Sequence, residues 1–374
     1  MISNLARPLH PPAPIRKISR PSGFRRFLST GSYNLFIWVL LLIYLLPLAY
    51  MVVLAFKSDA QLEDSHAPWY PAKLVTFQYQ GKNWPIYTVP IDGGTKQLAM
   101  VGDTTLSDPF VEAGSDITRK FVDPLHPEAG LIVWTGQGTS LSGVYRFSPA
   151  WSNFKWLFTT YPLPKMIGDT LFLVMLCEIG VLFSSILVGY GFSRFPLPGG
   201  DLLFYVLIAT ILVPEKVTLI PTFYIYVNFF HWHGTLYPLF VHLFFGNAVF
   251  IFLLRQNFKS LPLDLEEAAM LDGAGTLRTL FSVVLPQSWP VIVTISLLQF
   301  FYTWNETRLI SLYMGSNSAF VPISYAVQQY SSSRPIQNTI EGANMIMLIV
   351  PVIVLLLSQR FFMRSMVITG MEKR

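Results

Sequence analysis

Between two long apolar stretches the chain reads Leu261-Pro-Leu-Asp-Leu-Glu-Glu-Ala-Ala-Met-Leu-Asp-Gly-Ala-Gly275, with Leu285-Pro286 and Pro290 following. This is an unusual loop to find beside apolar spans. Pro262 suits the first turn of a helix, and Asp264, Glu266 and Glu267 favour the positive end of its dipole. Ala268 and Ala269 are small enough to let that short helix seat closely against another surface. Gly273 and Gly275 permit a sharp turn into a second helix. The reading is a helix-turn-helix knob over 261–290, protruding from a membrane domain.

The rest of the chain supports the membrane. Hydrophobic residues make up 52% and charged residues 13% of the 374, whereas soluble domains carry about 25% charge. Uncharged apolar runs of membrane-spanning length recur. They predict six spans: Leu35–Phe56, about Thr170–Phe192, a third starting near Leu202 and kinked at Pro214-Glu215-Lys216, Leu236–Leu254, about Pro290–Trp304, and about Ala343–Leu357. The aromatic stretch from Ile220-Pro221 to Trp232 is expected along the outer surface. The fold class expected is an all-α polytopic membrane protein of six transmembrane helices.

Residues 1–30 hold Arg7, Arg16, Lys17, Arg20, Arg25 and Arg26, no acid, and five prolines. They read as a basic, proline-rich cytoplasmic tail. A secretory signal would also place a basic stretch before an apolar one. The run is too long for that, and no small-residue cleavage site follows it cleanly, so 31–58 is expected to be an uncleaved first span. The carboxyl tail carries Arg360, Arg364, Lys373 and Arg374 against Glu372. Basic segments at both ends predict both termini in the cytoplasm of a multi-pass cell-membrane protein. The net charge of +5 is explained by these flanks, which argues against nucleic-acid binding.

Residues 59–150 differ in character, with charges of both signs and many Pro, Gly and aromatic residues. Thr76–Gln80 and Asn83–Val89, joined through Gly81-Lys82, read as a hairpin. Leu131–Trp134 and Gly143–Phe147 read as further strands. A small, mainly β extracytoplasmic insertion is therefore expected between the first two spans, with residues 151–374 forming the core of the remaining five.

The knob carries a specific pattern. Glu267-Ala268-Ala269, Gly273, Val283, Leu285 and Pro286 keep the spacings of the EAA loop of ABC importer permeases, with Val in the place of Ile. Further matches lie in Asp272-Gly273-Ala274, Trp304-Asn305-Glu306, Gly191-Phe-Ser-Arg-Phe195 and Gln359-Arg-Phe-Phe-Met363. Together they resemble the shorter, MalG-like partner of maltose-type carbohydrate permeases. The resemblance covers 34–58 and 149–374, and leaves out the amino terminus and most of 60–148. It implies a transport subunit, not an enzyme, that works beside a second permease as a heterodimer. Two ATPase subunits and an extracytoplasmic solute-binding protein would complete the importer. No phosphate loop occurs in the chain, so ATP and Mg belong on the partner ATPase and no cofactor is expected here.

By that resemblance Glu266, Glu267, Ala268, Ala269, Asp272, Gly273, Leu285 and Pro286 are the ATPase-coupling residues. The loop Ser331–Asn338 is expected to face the binding protein, through Ser331, Arg334, Gln337 and Asn338. Asn247, Gln299 and Tyr302 are polar groups inside spans, serving either helix–helix hydrogen bonds or the solute path. Glu178, an acid within the second span, reads as a packing group or a functional one. His231 and His233 flank Trp232 with no third ligand evident for zinc. Cys177 is a small packing residue. The solute is expected to be a sugar or oligosaccharide. Polyamine, phosphate or glycerol phosphate import, and an ion-coupled secondary transporter, are the alternatives.

Overall fold

The computed structural model describes residues 23–64, 66–91, 94–102, 116–315, 319–333 and 337–371. Two compact units, 1–51 and 52–374, divide the chain. The first holds most of α1 (Gly23–Ala55), a helix with Pro47 inside it. Its exposed side chains from Tyr33 to Val52 are large and apolar on every side, the pattern of a helix whose solvent is lipid.

The second unit opens with α2 (Asp59–Glu63) and the β insertion. Strands β1 (Ala72–Leu74), β2 (Thr76–Tyr79), β3 (Lys82–Ile91), β4 (Gly94–Val101), β5 (Asp116–Val122), β6 (Leu131–Gln137), β7 (Ser142–Gly143) and β8 (Tyr145–Phe147) follow. A six-stranded antiparallel sheet runs in the order β2-β3-β4-β5-β6 with β7 on β3, while β1 pairs with β8. The expected hairpin is present one residue early. Its turn is Gln80-Gly81, both with positive φ (50° and 78°), the two-residue geometry that matches strand twist. One sheet face buries Tyr87, Val89, Leu98, Met100, Phe121 and Trp134. The Trp134 indole donates to Pro90 O at 3.1 Å, as a buried indole must.

Helices fill the remainder: α3 (Trp151–Thr160), α4 (Leu163–Arg194), α5 (Gly200–Ala209), α6 (Glu215–Tyr224), α7 (Tyr237–Phe240), α8 (Ala248–Ser260), α9 (Leu263–Leu271), α10 (Thr276–Thr279), α11 (Leu285–Gln287), α12 (Trp289–Trp304), α13 (Arg308–Met314), α14 (Ile323–Ser333) and α15 (Gln337–Met371). Four described segments are long and apolar enough to cross a membrane: Gly31–Ala55, Leu163–Arg194, Tyr237–Ser260 and Asn338–Phe361. Two further segments qualify as bent pairs, Gly200–Leu212 with Glu215–Phe229 at 95° and Thr276–Gln287 with Trp289–Trp304 at 81°. The first bend falls at Val213-Pro214, both extended (ψ 115° and 128°), because the residue before proline is pushed out of the helical region.

Helix α4 is the central post. A Cβ at Gly180 would meet the Phe244 ring at 2.7 Å and one at Gly189 would meet Leu254 Cβ at 3.1 Å. These small residues let α4 and the Tyr237–Ser260 segment approach closely, as membrane helices do in the absence of a hydrophobic drive. That segment is itself broken. A 3-10 stretch, Val241–Phe245, ends at Gly246 (φ 108°) before α8 starts.

Candidate functional site

The knob begins where α8 stops. Leu261 and Pro262 are extended, and α9 starts at Leu263 with Asp264 and Glu266 in its first turn. At the other end Asp272 is the C-cap, and Gly273 takes φ 84°. The Ala274 N–H returns to Ala269 O and the Gly273 N–H to Met270 O, both at 3.0 Å. This left-handed closure is the glycine-dependent step. Gly275 does not share it: its backbone is extended (φ −72°, ψ 166°) as the residue before α10, so the expected need for a second glycine is withdrawn. Replacing Gly273 with valine should therefore cost about 1–3 kcal/mol of local stability, seen as faster proteolysis within 261–290. Gly275→Ala should leave the cleavage rate unchanged.

The two neighbouring glutamates part company. Glu266 is buried at 4% exposure. Its Oε1 accepts from Arg194 Nη2 at 2.6 Å and Nε at 2.7 Å, while Tyr190 donates its hydroxyl to Oε2 at 3.2 Å. Arg194 also reaches Leu261 O at 3.3 Å. Glu266, expected among the coupling residues, turns its carboxylate inward, where it fastens α9 to the end of α4. Glu267, Ala268, Asp272, Gly273 and Pro286 are exposed, and Ala269 and Leu285 half-buried. Beside them the knob exposes Leu263, Met270, Leu271, Leu277 and Phe281, with Leu271 at 89%. Sequence reasoning passed over these apolar residues, as it did the pairing role of Arg194. Soluble surfaces avoid such patches, which makes this one a candidate contact site.

After α10 the backbone loosens into a π-helical turn, Leu280–Val284, then α11 and a break at Ser288 (φ −89°, ψ 3°). Pro286 and Pro290 sit at helix starts on either side of it, where proline's missing N–H costs nothing. The knob is thus joined to α12 through a bend.

Of the polar groups inside spans, Asn247 is spoken for. Its Oδ1 accepts the Val249 and Phe250 amides at 3.0 and 3.2 Å, capping α8 where the broken segment resumes. Gln299 is buried and donates to Thr303 Oγ1 at 2.9 Å. Tyr302 is half exposed and shares a small pocket with Gln299, Cys177, His242 and Glu306. Asn247 does not line this pocket. Glu178 lies beside Ser296 with both carboxyl oxygens buried and without a well-formed hydrogen bond. Among the described residues no group of three or more His, Cys, Asp or Glu side chains is placed to hold a metal ion.

The segment expected to meet a binding protein is arranged differently from an exposed loop. Ser331 and its two successors continue α14, and the Ser331 and Ser332 hydroxyls donate back to Gln328 O at 2.8 and 3.0 Å. Asn338 is fully buried near the start of α15, donating to Lys57 O at 3.0 Å and Asp59 Oδ1 at 2.5 Å. It is a staple inside the fold, not a surface contact. Arg334 falls outside the described residues, and so does the side chain of Gln337.

Residues 179–367 match the family described as binding-protein-dependent transport system inner membrane component. The sn-glycerol-3-phosphate transport system permease protein of Yersinia enterocolitica is 31% identical over 263 residues, 69% of this chain and 88% of that one. A probable ABC transporter permease protein of Pyrococcus horikoshii is 26% identical over 214 residues, 57% of this chain and 77% of its own length. Among solved structures, a chain of a bacterial ABC transporter that imports the acidic polysaccharide alginate superposes with a TM-score of 0.58 at 17% identity, covering 90% of this chain and 98% of that one. The knob with its inward anchor, the broken apolar helices and this match over half the sequence lead to one conclusion: the chain belongs to the binding-protein-dependent transport system inner membrane component family, the multi-pass permease subunits of ABC importers.

Proposed function

We propose that this permease is one of two non-identical membrane subunits of a sugar or oligosaccharide importer. Each bent pair counts as one span, giving six with both termini in the cytoplasm. The 261–290 knob seats in a cleft of an ATPase subunit, and residues 59–150 lie outside, near the docked binding protein. The observation that carries this reading is the anchoring of α9 to α4 through Glu266 and Arg194, with Glu267 and an apolar patch left facing outward. A knob tied to the central helix transmits ATPase motion to the bundle, where a floppy loop would not. Import of glycerol phosphate is the second reading, favoured by the name of the Yersinia relative.

Two measurements test the assembly. The intact complex purified from membranes should contain a second, different permease and ATPase subunits; a complex holding copies of this chain alone would overturn the heterodimer. A cysteine placed at Gly81, the exposed tip of the first hairpin, should react with an impermeant thiol reagent on whole spheroplasts. Labelling only after the membrane is opened would put the insertion in the cytoplasm and reverse the topology.

A further inference from the structure

Three interruptions of helical backbone meet at one place. The first is the Val213-Pro214 bend, after which α6 starts with Glu215. The second is the 3-10 stretch Val241–Phe245, which contains His242. The third is the gap between α12 and α13, which holds Asn305, Glu306 and Thr307 and is followed by Arg308. Broken backbone at membrane depth leaves amides and carbonyls without helical partners, and is tolerated where it is buried in protein or lines a watery cavity. Here the second and third breaks border a small pocket in which His242, Gln299, Tyr302 and Glu306 stand among Leu173, Leu239, Leu243 and Leu309, with Cys177 on its α4 wall; the first break is tied to it through the Glu215–Arg308 pair.

The polar groups are positioned for a ligand. Gln299 spends its amide N–H on Thr303, which leaves its carbonyl oxygen to accept. Glu306 Oε1 takes the Leu309 amide at 2.8 Å, leaving Oε2. Tyr302 supplies a hydroxyl and a ring face. Arg308 pairs with Glu215, and both, with Glu306, lie close enough to the Tyr302 hydroxyl to act on it electrostatically. Glu215 also acts on His242. Acceptors beside an aromatic ring, ringed by a few directed polar groups, suit a solute rich in hydroxyls.

Charge decides the solute class. Glu215 and Glu306 contribute two negative charges and Arg308 one positive, so the cluster is net negative by one. The guanidinium that would otherwise capture a phosphate or carboxylate is already matched by a carboxylate. A phosphate or uronate entering would meet the Glu306 carboxylate, and like charges repel. We infer that this chain itself contacts the solute, through a pocket of Gln299, Tyr302, Glu306 and His242 that admits neutral polyhydroxylated molecules and rejects anionic ones. The inference rests on reading the chain as a solute-translocating subunit, and goes beyond it by excluding the phosphorylated and acidic solutes named for its relatives.

The chain's one cysteine is a built-in reporter, since Cys177 lines the pocket. In the intact complex in lipid nanodiscs, its reaction with methyl methanethiosulfonate is followed by mass spectrometry. Glucose and maltose at high millimolar concentration should slow modification at least about three-fold, as occupancy demands. Glucose 6-phosphate and glucuronate, which share the glucose skeleton, should not. Glu215→Gln combined with Glu306→Gln turns the cluster from net −1 to net +1 and should transfer protection to the two anions; Tyr302→Ala should remove it for every probe. A thiol that never reacts would show a pocket closed to water. That result, absence of protection by neutral sugars, or equal protection by the anions would overturn the inference. No ATP is involved, so ATP-driven uptake by the same preparation judges the importer reading separately.

Discussion

Replacing Arg194 with methionine should lower ATP-driven uptake by about 100-fold or more while leaving the protein inserted in the membrane. The substitution strands the Glu266 carboxylate, which is 95% or more enclosed (side-chain exposure 5%) and would keep only the Tyr190 hydroxyl as partner. Removing one member of a buried ion pair costs about 3–5 kcal/mol, and each 1.4 kcal/mol is about ten-fold in an equilibrium. The cost falls on the seating of α9 against α4, not on the spans, whose apolar packing is untouched. Hydrolysis should therefore persist better than uptake. Arg194→Met combined with Glu266→Met should recover much of the loss, because neither charge is then left alone. A double variant as damaged as the single would show that these charges act directly on a partner. Full uptake by Arg194→Met would show that the anchor is dispensable.

The anchor shows how much of the site is readable from residue order. Pro262, the acidic first turn and Gly273 were legible because each answers a local backbone demand. Which of Glu266 and Glu267 faces the bundle was not. Consecutive residues on a helix point about 100° apart, and the choice is made by Arg194, 72 positions earlier in the sequence. The same limit explains Asn338. A polar residue after three serines and a proline reads as an exposed connector, yet its partners lie 281 and 279 residues away at Lys57 and Asp59. The serines themselves misled for a local reason. They are weak helix formers because they can bond to nearby backbone instead, and in α14 those bonds are made within the helix, to Gln328 O.

In the β insertion, the alternation that gives a strand away was visible in β6 and the β2-β3 hairpin. Strand β4 escaped notice: its first four residues are exposed and its next three, Leu98, Ala99 and Met100, are buried in succession. No period of two survives such a sequence. In the membrane region the apolar runs marked the candidate spans, and the kink expected at Pro214-Glu215-Lys216 is present, but the other breaks were not legible. Proline marks the 95° bend at Val213-Pro214, whereas the unwinding at Val241–Phe245 follows Pro238 by several residues and ends at Gly246.

On the outward side of the knob, where the proposed reading seats an ATPase subunit, two substitutions should separate charge from apolar contact. Leu271→Asp should reduce the ATPase recovered with the permease at least about ten-fold. Leu271 is 89% exposed in the isolated chain; covering a leucine is worth about 1.5–3 kcal/mol, and a carboxylate carried into the dried contact adds its own desolvation cost. Glu267→Lys should weaken recovery through charge alone, so its deficit should shrink as salt rises, since exposed charges beyond about 10 Å are screened at 0.1 M. The Leu271→Asp deficit should persist in high salt, because the lost apolar contact is not an interaction between charges. Leu125→Asp, at an equally exposed site in the β insertion (83%), should leave ATPase recovery unchanged. The measurement is the ratio of ATPase to permease after affinity purification at low and high salt. Wild-type ratios for both knob variants would place the docking surface elsewhere. Deficits with the same salt dependence would mean that Glu267 and Leu271 disturb the fold of α9 rather than its contact.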